Sequence, residues 1–394
     1  MGLGLLFPII NSIIIDPQSG FLNSDISIGL RDFYYGLTIG IFMICWFFGA
    51  AILGDLSDKV GRKKSLMICL IGSFGGYLLS AIAITIKSFW LLIAGRVIAG
   101  FTAGSQPIAQ AAIVDISSPA HKARNIGLIL LAVSLGFVLG PLCGGFLSDS
   151  RFLSWFNFST PMYFASIISL LNAVVLYFTF HETFEHADTH SHIKISVFRA
   201  VEICISAFKH IELKYYSIVL LVMIFGWSNY FSFISLYLNQ IYHYSNMQNS
   251  LFLAVMGLGF SLGCGYLVDY CVKRFQNDKT VVVALFLTAA EVAITLFATA
   301  EWVCWVMVFL IGSTLSVAYS TLLAIFSSLV NEDEQGWVMG VTGSIMAICF
   351  GITSLFTGLI AQMGAHLPMM LAMSGLALSA ILLILFKPSV WRSS

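Results

Sequence analysis

Charged side chains are scarce in this sequence of 394 residues. They make up 10% of the chain, whereas a soluble domain typically carries about 25%. So small a share does not cover a water-facing surface, and 59% of the residues are hydrophobic. The composition therefore favours a chain embedded in a lipid bilayer. A formal net charge of zero gives no indication of a nucleic-acid partner.

Motifs that carry chemistry are also missing. No segment has the form G-x-x-x-x-G-K-[ST], so no ATP-binding loop is expected, and the spacing indicates no Ser/His/Asp constellation. No cofactor and no enzymatic activity are therefore expected. The eight cysteines form no C-x-x-C pair and are interpreted as small hydrophobic residues. The N-terminus has neither a basic region nor an obvious cleavage site, so no removed signal peptide is expected.

Long apolar runs fill most of the chain. A membrane-spanning helix needs about 20 mostly apolar residues, and lipid offers no other partner to the backbone, so these runs are expected to be helices. The twelve predicted spans are 1–15, 33–53, 66–86, 89–113, 125–147, 161–180, 216–238, 249–269, 280–299, 302–324, 338–361 and 367–386. The first is short, so either the true start lies upstream of Met1 or span 1 is abbreviated.

The basic residues indicate an orientation. With both termini in the cytoplasm, the outer loops hold only Arg31, Lys87 and Arg151, and Arg96 alone falls inside a span. The remaining fifteen of the 19 basic residues lie on the inner side. This bias is typical of a multi-pass membrane protein and supports an even number of spans. We expect a bacterial-type cytoplasmic (inner) membrane.

The chain divides into two similar halves. Residues 181–214 form the longest polar stretch and are interpreted as a cytoplasmic linker with an interfacial helix, between bundles at 1–180 and 215–394. The loop after span 2 (54–63) and the loop after span 8 (265–274) both follow G-x-L-x-D and end in two basic residues. Such repeats are typical of transporters with a solute site between the halves.

The first of these loops carries a family resemblance. Residues 54–66 read GDLSDKVGRKKSL and resemble the major facilitator pattern G-x-L-x-D-x-x-G-R-K, including Gly54 and Gly61. The resemblance implies an all-α fold of two six-helix bundles, related by a pseudo-twofold axis, around a central cavity. It also implies a charge cluster of Asp58 and Arg62, with Asp115 as a partner, that holds the outward-facing state. The alternative is charge that serves membrane topology only.

Two further segments resemble motifs of this family. Arg96 to Gly100 is similar to its span 4 pattern, which ties the arginine to proton coupling or to a structural hydrogen-bond hub. Residues 136–145 fit G-x-x-x-G-P-x-x-G-G, which marks proton-exchanging exporters in the family. The alternative is a plain packing motif. The residues of this antiporter motif are Gly136, Gly140, Pro141, Gly144 and Gly145.

The order of motifs resembles the tetracycline and multidrug exporters, and NEDEQGWVMG at 331–340 fits their inner loop. These exporters usually carry an acid in span 1 that is absent here or lies upstream of Met1. Glu291, midway along span 9, is the candidate replacement, because low dielectric suits an acid that carries protons. Alternatively, Glu291 is a neutral group bonded to a neighbour, or lies shallower in the membrane.

Polar and aromatic residues in the spans are candidates for a solute cavity, although helix–helix bonding is an equally good reading of each. They are Asn11, Gln106, Gln110, Trp227, Asn229, Tyr230 and Tyr319. The linker histidines His181, His186, His190 and His192 are interpreted as a solvated loop and not as a metal site.

These features predict a proton-coupled exporter of a small amphipathic compound, embedded in lipid and acting as a monomer. An importer of a nutrient, organic acid or siderophore is the first alternative, and a membrane sensor that transports nothing is the second. A membrane enzyme is the least favoured, since the sequence offers no catalytic constellation.

Overall fold

The computed structural model describes residues 2–116, 122–183, 199–209, 211–330, 335–364 and 366–386. Throughout this part of the chain the regular structure is helical. The α-helices are α1 (Gly2–Ile10), α2 (Ile28–Val60), α3 (Arg62–Thr85), α4 (Phe89–Thr102), α5 (Ser105–Ile116), α6 (Lys122–Ser148), α7 (Thr160–Thr179), α8 (Arg199–Lys209), α9 (Ile211–Tyr242), α10 (Asn246–Leu262), α11 (Val268–Arg274), α12 (Asn277–Phe297), α13 (Glu301–Ser328), α14 (Gln335–Ile360) and α15 (His366–Phe386).

Each predicted span coincides with a helical segment. Among the described residues, nine helices are long and apolar enough to cross a membrane. Span 1 combines α1 with a π-helical turn at Asn11–Ile15, and span 8 joins α10 to α11 through a π-helical turn at Gly263–Leu267. Several predicted positions lie outside the described residues: His186, His190, His192, Lys194, the loop 331–334, Lys387 and Arg392.

Span 4 is one helix in the prediction but two in the structure. The chain turns at Ala103 and Gly104, between α4 and α5. Pro107 is the third residue of α5. Proline has no amide hydrogen and disfavours a helical residue before it, so a helix cannot run undisturbed into this position. Apolar length alone could not locate the break.

The helices form two bundles with equivalent internal packing. In the first, α3 packs against α4 and α7, α2 packs against α4, and α1 packs against α6. In the second, α12 packs against α13 and α15, α10 packs against α13, and α9 packs against α14. The same span pairs therefore meet in each half, as a pseudo-twofold repeat requires. The bundles meet where α2 contacts α14 and where α6 contacts α10.

The two ends of the molecule differ in how closely the bundles approach. We call the end with the α2–α3 and α11–α12 turns the basic end, since Lys59, Arg62, Lys63, Lys273 and Arg274 lie there. At the opposite end the bundles touch. A β-carbon at Gly36 of α2 would collide with the Ser354 carbonyl of α14, and one at Gly145 of α6 would collide with Ser250 of α10.

At the basic end, open space surrounds single glycines of α2, of the turn after α10 and of α14. A β-carbon at Gly54, Gly265 or Gly340 would have no atom of the described residues within 4 Å. The linker helix α8 contacts α2, α9 and α14 on this side, with Val201 packed against Phe47 and Ala347. The space between the bundles is therefore closed at one end and open at the other, apart from α8.

Candidate functional site

The charge cluster predicted from the first repeat lies at the basic end. Gly61 has φ of +99°, a value that suits glycine, and it separates α2 from α3. The Arg62 guanidinium lies 3.0 Å from the Asp115 carboxylate on α5 and 2.5 Å from Asp58 on α2. Ser57 accepts a further hydrogen bond from Arg62. Three helices of the first bundle are thus joined by one arginine, whose side chain is 8% exposed.

A third acid, Glu182, which the sequence analysis missed, completes this cluster. The Glu182 carboxylate accepts hydrogen bonds from the backbone amides of Arg62 (2.7 Å) and Lys63 (3.1 Å). These amides have no partner inside α3, and a negative charge there also complements the helix dipole. Glu182 therefore anchors the start of the linker to α3. A gap of about 120 positions separates it from its partners, so no spacing pattern could indicate the contact.

The second repeat is built more simply. Asp269 and Lys273 form an ion pair of 2.6 Å one helical turn apart, and both side chains are largely exposed. The Arg274 guanidinium lies over the Tyr270 ring and donates a 2.9 Å hydrogen bond to its hydroxyl. Within the described residues, no salt bridge ties this loop to another helix. The two repeats are similar in sequence but differ in how firmly they join their bundles.

Arg96 lies in the interior of the first bundle. It is 1% exposed, its guanidinium lies 4.1 Å above the centre of the Phe42 ring, and its Nε donates to the Thr38 carbonyl at 3.4 Å. Gly100, one turn further along α4, packs directly on the Phe42 backbone. Among the described residues, the Arg96 guanidinium therefore has one long hydrogen bond and one ring contact, and Nη1 stays without a partner.

Glu291 lies in the other bundle, so the structure does not bring it together with Arg96. It is 8% exposed, and its Oε2 accepts a 2.8 Å hydrogen bond from Thr314 of α13. Thr314 lies 2.8 Å from the Thr288 hydroxyl of α12. This arrangement matches the alternative reading of Glu291 as an acid bonded to a neighbouring helix.

The antiporter motif on α6 packs against two helices. A β-carbon at Gly144 would collide with the Leu5 backbone of α1, while Gly4 of α1 packs against Gly140 and Pro141. Gly145 faces Ser250 of α10, across the boundary between the bundles. Gly136 lies half-buried on the same helix. The small residues therefore let α6 pack closely against α1 of its own bundle and against α10 of the other bundle.

The cavity candidates fall into two groups. Asn11 donates to the Ser235 carbonyl, and Asn229 accepts from Thr357 at 2.6 Å, so both amides join helices. Tyr230 is fully buried and its hydroxyl has no partner among the described residues. The remaining candidates are half-buried on α5, α9 and α13: Gln106, Gln110, Trp227 and Tyr319. The side chains of this second group are therefore partly accessible, whereas those of the first group are buried.

Arg31 is buried, which corrects its assignment to an outer loop. It lies in the first turn of α2, is 1% exposed, and donates to the carbonyls of Ile14 (2.9 Å), Asn23 (2.8 Å) and Ile26 (3.4 Å). Asp32 beside it is equally buried. The sequence analysis passed over Asp32, because adjacent opposite charges at a span end resemble a solvated pair.

Comparisons with known proteins agree with this architecture. The family model of the Major Facilitator Superfamily matches residues 1–353. The chain is 26% identical to tetracycline resistance protein class C of Escherichia coli, over 88% of this chain and 83% of that protein. It is 24% identical to the quinolone resistance protein NorA of Staphylococcus aureus, over 98% and 93%. The crystal structure of a D-xylose–proton symporter superposes with a TM-score of 0.76 at 14% identity, covering 96% of this chain and 94% of that one.

Proposed function

Because this chain belongs to the Major Facilitator Superfamily, we propose that it is a proton-coupled exporter of small amphipathic compounds that works by alternating access. It is a multi-pass membrane transporter and not an enzyme. The observation that carries export is the similarity to tetracycline and quinolone resistance proteins over most of the chain. The antiporter motif on α6 supports the same direction.

The proposed cycle uses the difference between the two ends. From the positive-inside bias we infer that the basic end, and both termini, lie in the cytoplasm. The bundles then touch on the outer side and stand apart on the inner side, which is an inward-open state. Rocking of one bundle against the other would close Gly54 toward Gly340 and part Gly36 from Ser354. The resemblance assigns the Asp58–Arg62–Asp115 cluster to the outward-open state, whereas in this inward-open arrangement the cluster already joins α2, α3 and α5 of the first bundle. Its proposed role therefore requires a further contact with α14 that forms when Gly54 closes toward Gly340.

The proposed solute site lies between the bundles near the middle of the membrane. On one side, polar groups would come from Gln106 and Gln110. On the other side, aromatic walls would come from Trp227 and Tyr319.

The energy that drives transport would come from protons. One charge crossing 100 mV contributes about 2.3 kcal/mol. Arg96 and Glu291 are the proposed coupling residues, and neither contacts the other.

Flux into everted membrane vesicles tests the direction. In these vesicles the cytoplasmic face, with its basic loops, is on the outside, and the interior is made more acidic than the medium. Under this pH gradient the vesicles are expected to accumulate a fluorescent amphipathic drug. Dissipating the gradient with an ionophore should abolish the accumulation. Membranes that carry a variant with Arg62 and Asp115 both replaced by alanine serve as the matched control. Their accumulation is expected to be strongly reduced.

Two other functions give different results in these vesicles. Gradient-driven uptake by whole cells, with no accumulation in everted vesicles, would point to an importer, a reading favoured by the structural likeness to a xylose–proton symporter. No gradient-dependent flux of any solute in either direction would indicate a membrane sensor. Either result would overturn the proposed export.

A further inference from the structure

Asp32 lies on the boundary between the two bundles, at the end where they touch. It shares a face of α2 with Tyr35 and Gly36, which follow it by three and four residues. Gly36 packs against Ser354 of α14, and the Tyr35 hydroxyl donates a 2.6 Å hydrogen bond to the Ser232 carbonyl of α9. The Asp32 carbonyl itself lies against Gly358 of α14. Asp32 is therefore part of the contact that closes this end.

One oxygen of the Asp32 carboxyl group has no partner among the described residues. Asp32 is 1% exposed, and within the described residues its Oδ1 accepts no hydrogen bond. Arg31 is its chain neighbour, but that guanidinium is turned toward three backbone carbonyls. Burial without a hydrogen-bond donor strongly disfavours a charged carboxylate and disfavours the protonated acid much less.

Elements around Asp32 supply no compensating charge from the described side chains. The π-helical turn Asn11–Ile15, the 354–358 stretch of α14 and the turn Ala361–Met363 contain no titratable residue. From α9, Tyr237 donates to the Leu296 carbonyl and stacks edge-on against His366. From α4, Arg96 reaches α2 at Thr38, six residues deeper than Asp32.

We propose that Asp32 is a proton-binding site that controls closure of the outer end. The bundles close there only when Asp32 carries a proton, and opening exposes the carboxylate to water. A proton is then a ligand that binds the closed state preferentially and shifts the equilibrium toward it. This inference rests on the proposed alternating access and names the group through which outside protons return the empty exporter to its inward-open state.

Thiol accessibility at the closed boundary tests this proposal. Ser354 of α14, which is fully buried beside Gly36 of α2, is replaced by cysteine in a chain whose native cysteines are alanine. A membrane-impermeant maleimide is applied from the outer side, without solute or gradient. The labelling rate is divided by that of an Asp25→Cys chain, because Asp25 is exposed in the outer loop and reports the intrinsic pH dependence of the reagent.

The relative rate is expected to rise between about pH 5 and about pH 8, by up to about tenfold per pH unit. Asp32→Asn should keep the rate low and independent of pH, and Asp32→Glu, which retains a carboxyl group, should keep the pH dependence. A relative rate that does not change with pH in the Asp32 chain overturns the proposal. A pH dependence that survives in Asp32→Asn, or disappears in Asp32→Glu, overturns it as well.

The labelling experiment tests the Asp32 site and the vesicle experiment tests the proposed function, so either claim can be refuted without the other. If labelling depends on pH but the vesicles show no export, the Asp32 site is supported and the proposed function is refuted. If the vesicles show export but labelling does not depend on pH, the proposed function is supported and the Asp32 site is refuted.

Discussion

Two arginines in this protein are equally buried but differ in how their charges are stabilised. Arg31 donates to three backbone carbonyls at the end of span 1 and the loop that follows. Arg96 has one long hydrogen bond, an aromatic ring beneath it and one nitrogen without a partner among the described residues. An intramembrane arginine is costly, and a fully bonded one has a structural explanation. Arg96 retains a free donor and is therefore the stronger candidate for a role that changes during transport.

Two substitutions of Arg96 distinguish the contribution of its charge to coupled transport from that of its planar guanidinium group. Arg96→Ala is expected to abolish proton-coupled transport while the protein still inserts. Arg96→Lys keeps the charge but not the planar stacking on Phe42, and should lower the coupled rate by about tenfold or more. Initial rates in everted vesicles, normalised to protein in the membrane, provide the measurement. Wild-type rates in Arg96→Ala would refute a coupling role.

The helix pairs α2–α14 and α6–α10 carry the contact between the bundles. On α2, a line of small residues faces the other bundle: Gly36 opposes Ser354 and Gly358, and Gly40 opposes Gly351. The closed end is thus a backbone-to-backbone contact that forms only when no side chain intervenes. Further along α2, Gly54 meets nothing in the described part of the chain. One helix therefore carries the closed contact at one end and the open gap at the other.

Filling the closed contact should favour the open state of that end. Gly36→Val places a side chain against the Ser354 carbonyl, and overpacking of this kind costs roughly 1–3 kcal/mol. The open population of the outer end should rise about five- to 150-fold. Labelling of Ser354→Cys from the outer side measures this change.

Gly75→Val is the matched control, since a β-carbon at Gly75 of α3 would meet no atom of the described residues within 4 Å. It should label as slowly as the parent protein. Equal labelling of the Gly36→Val and Gly75→Val proteins would show that the α2–α14 contact does not control the outer end.

Taken as a whole, the molecule is two similar bundles that meet at one end. Its spans could be predicted because apolar length is a local property of the chain. The break in span 4 was missed because apolar length alone was used, although Pro107 is a signal for such a break in the sequence. The loop pattern at 54–63 could indicate Asp58 and Arg62 for the same local reason. The roles of Glu182 and Asp32 depend on which distant helices pack beside them, and one sequence contains no such information. The division at 181–214 and the coupling role of Glu291 stay predictions.

Distances across the two ends of the molecule test the central claim most directly. Spin labels at Gly54→Cys and Gly340→Cys report the basic end, and labels at Asp25→Cys and Met363→Cys report the opposite end, where both native side chains are exposed. Pulsed electron paramagnetic resonance in lipid nanodiscs at low and high pH would follow both pairs. Alternating access predicts opposite changes: as one pair shortens, the other lengthens. Two pairs that stay fixed, or that lengthen together, would contradict it.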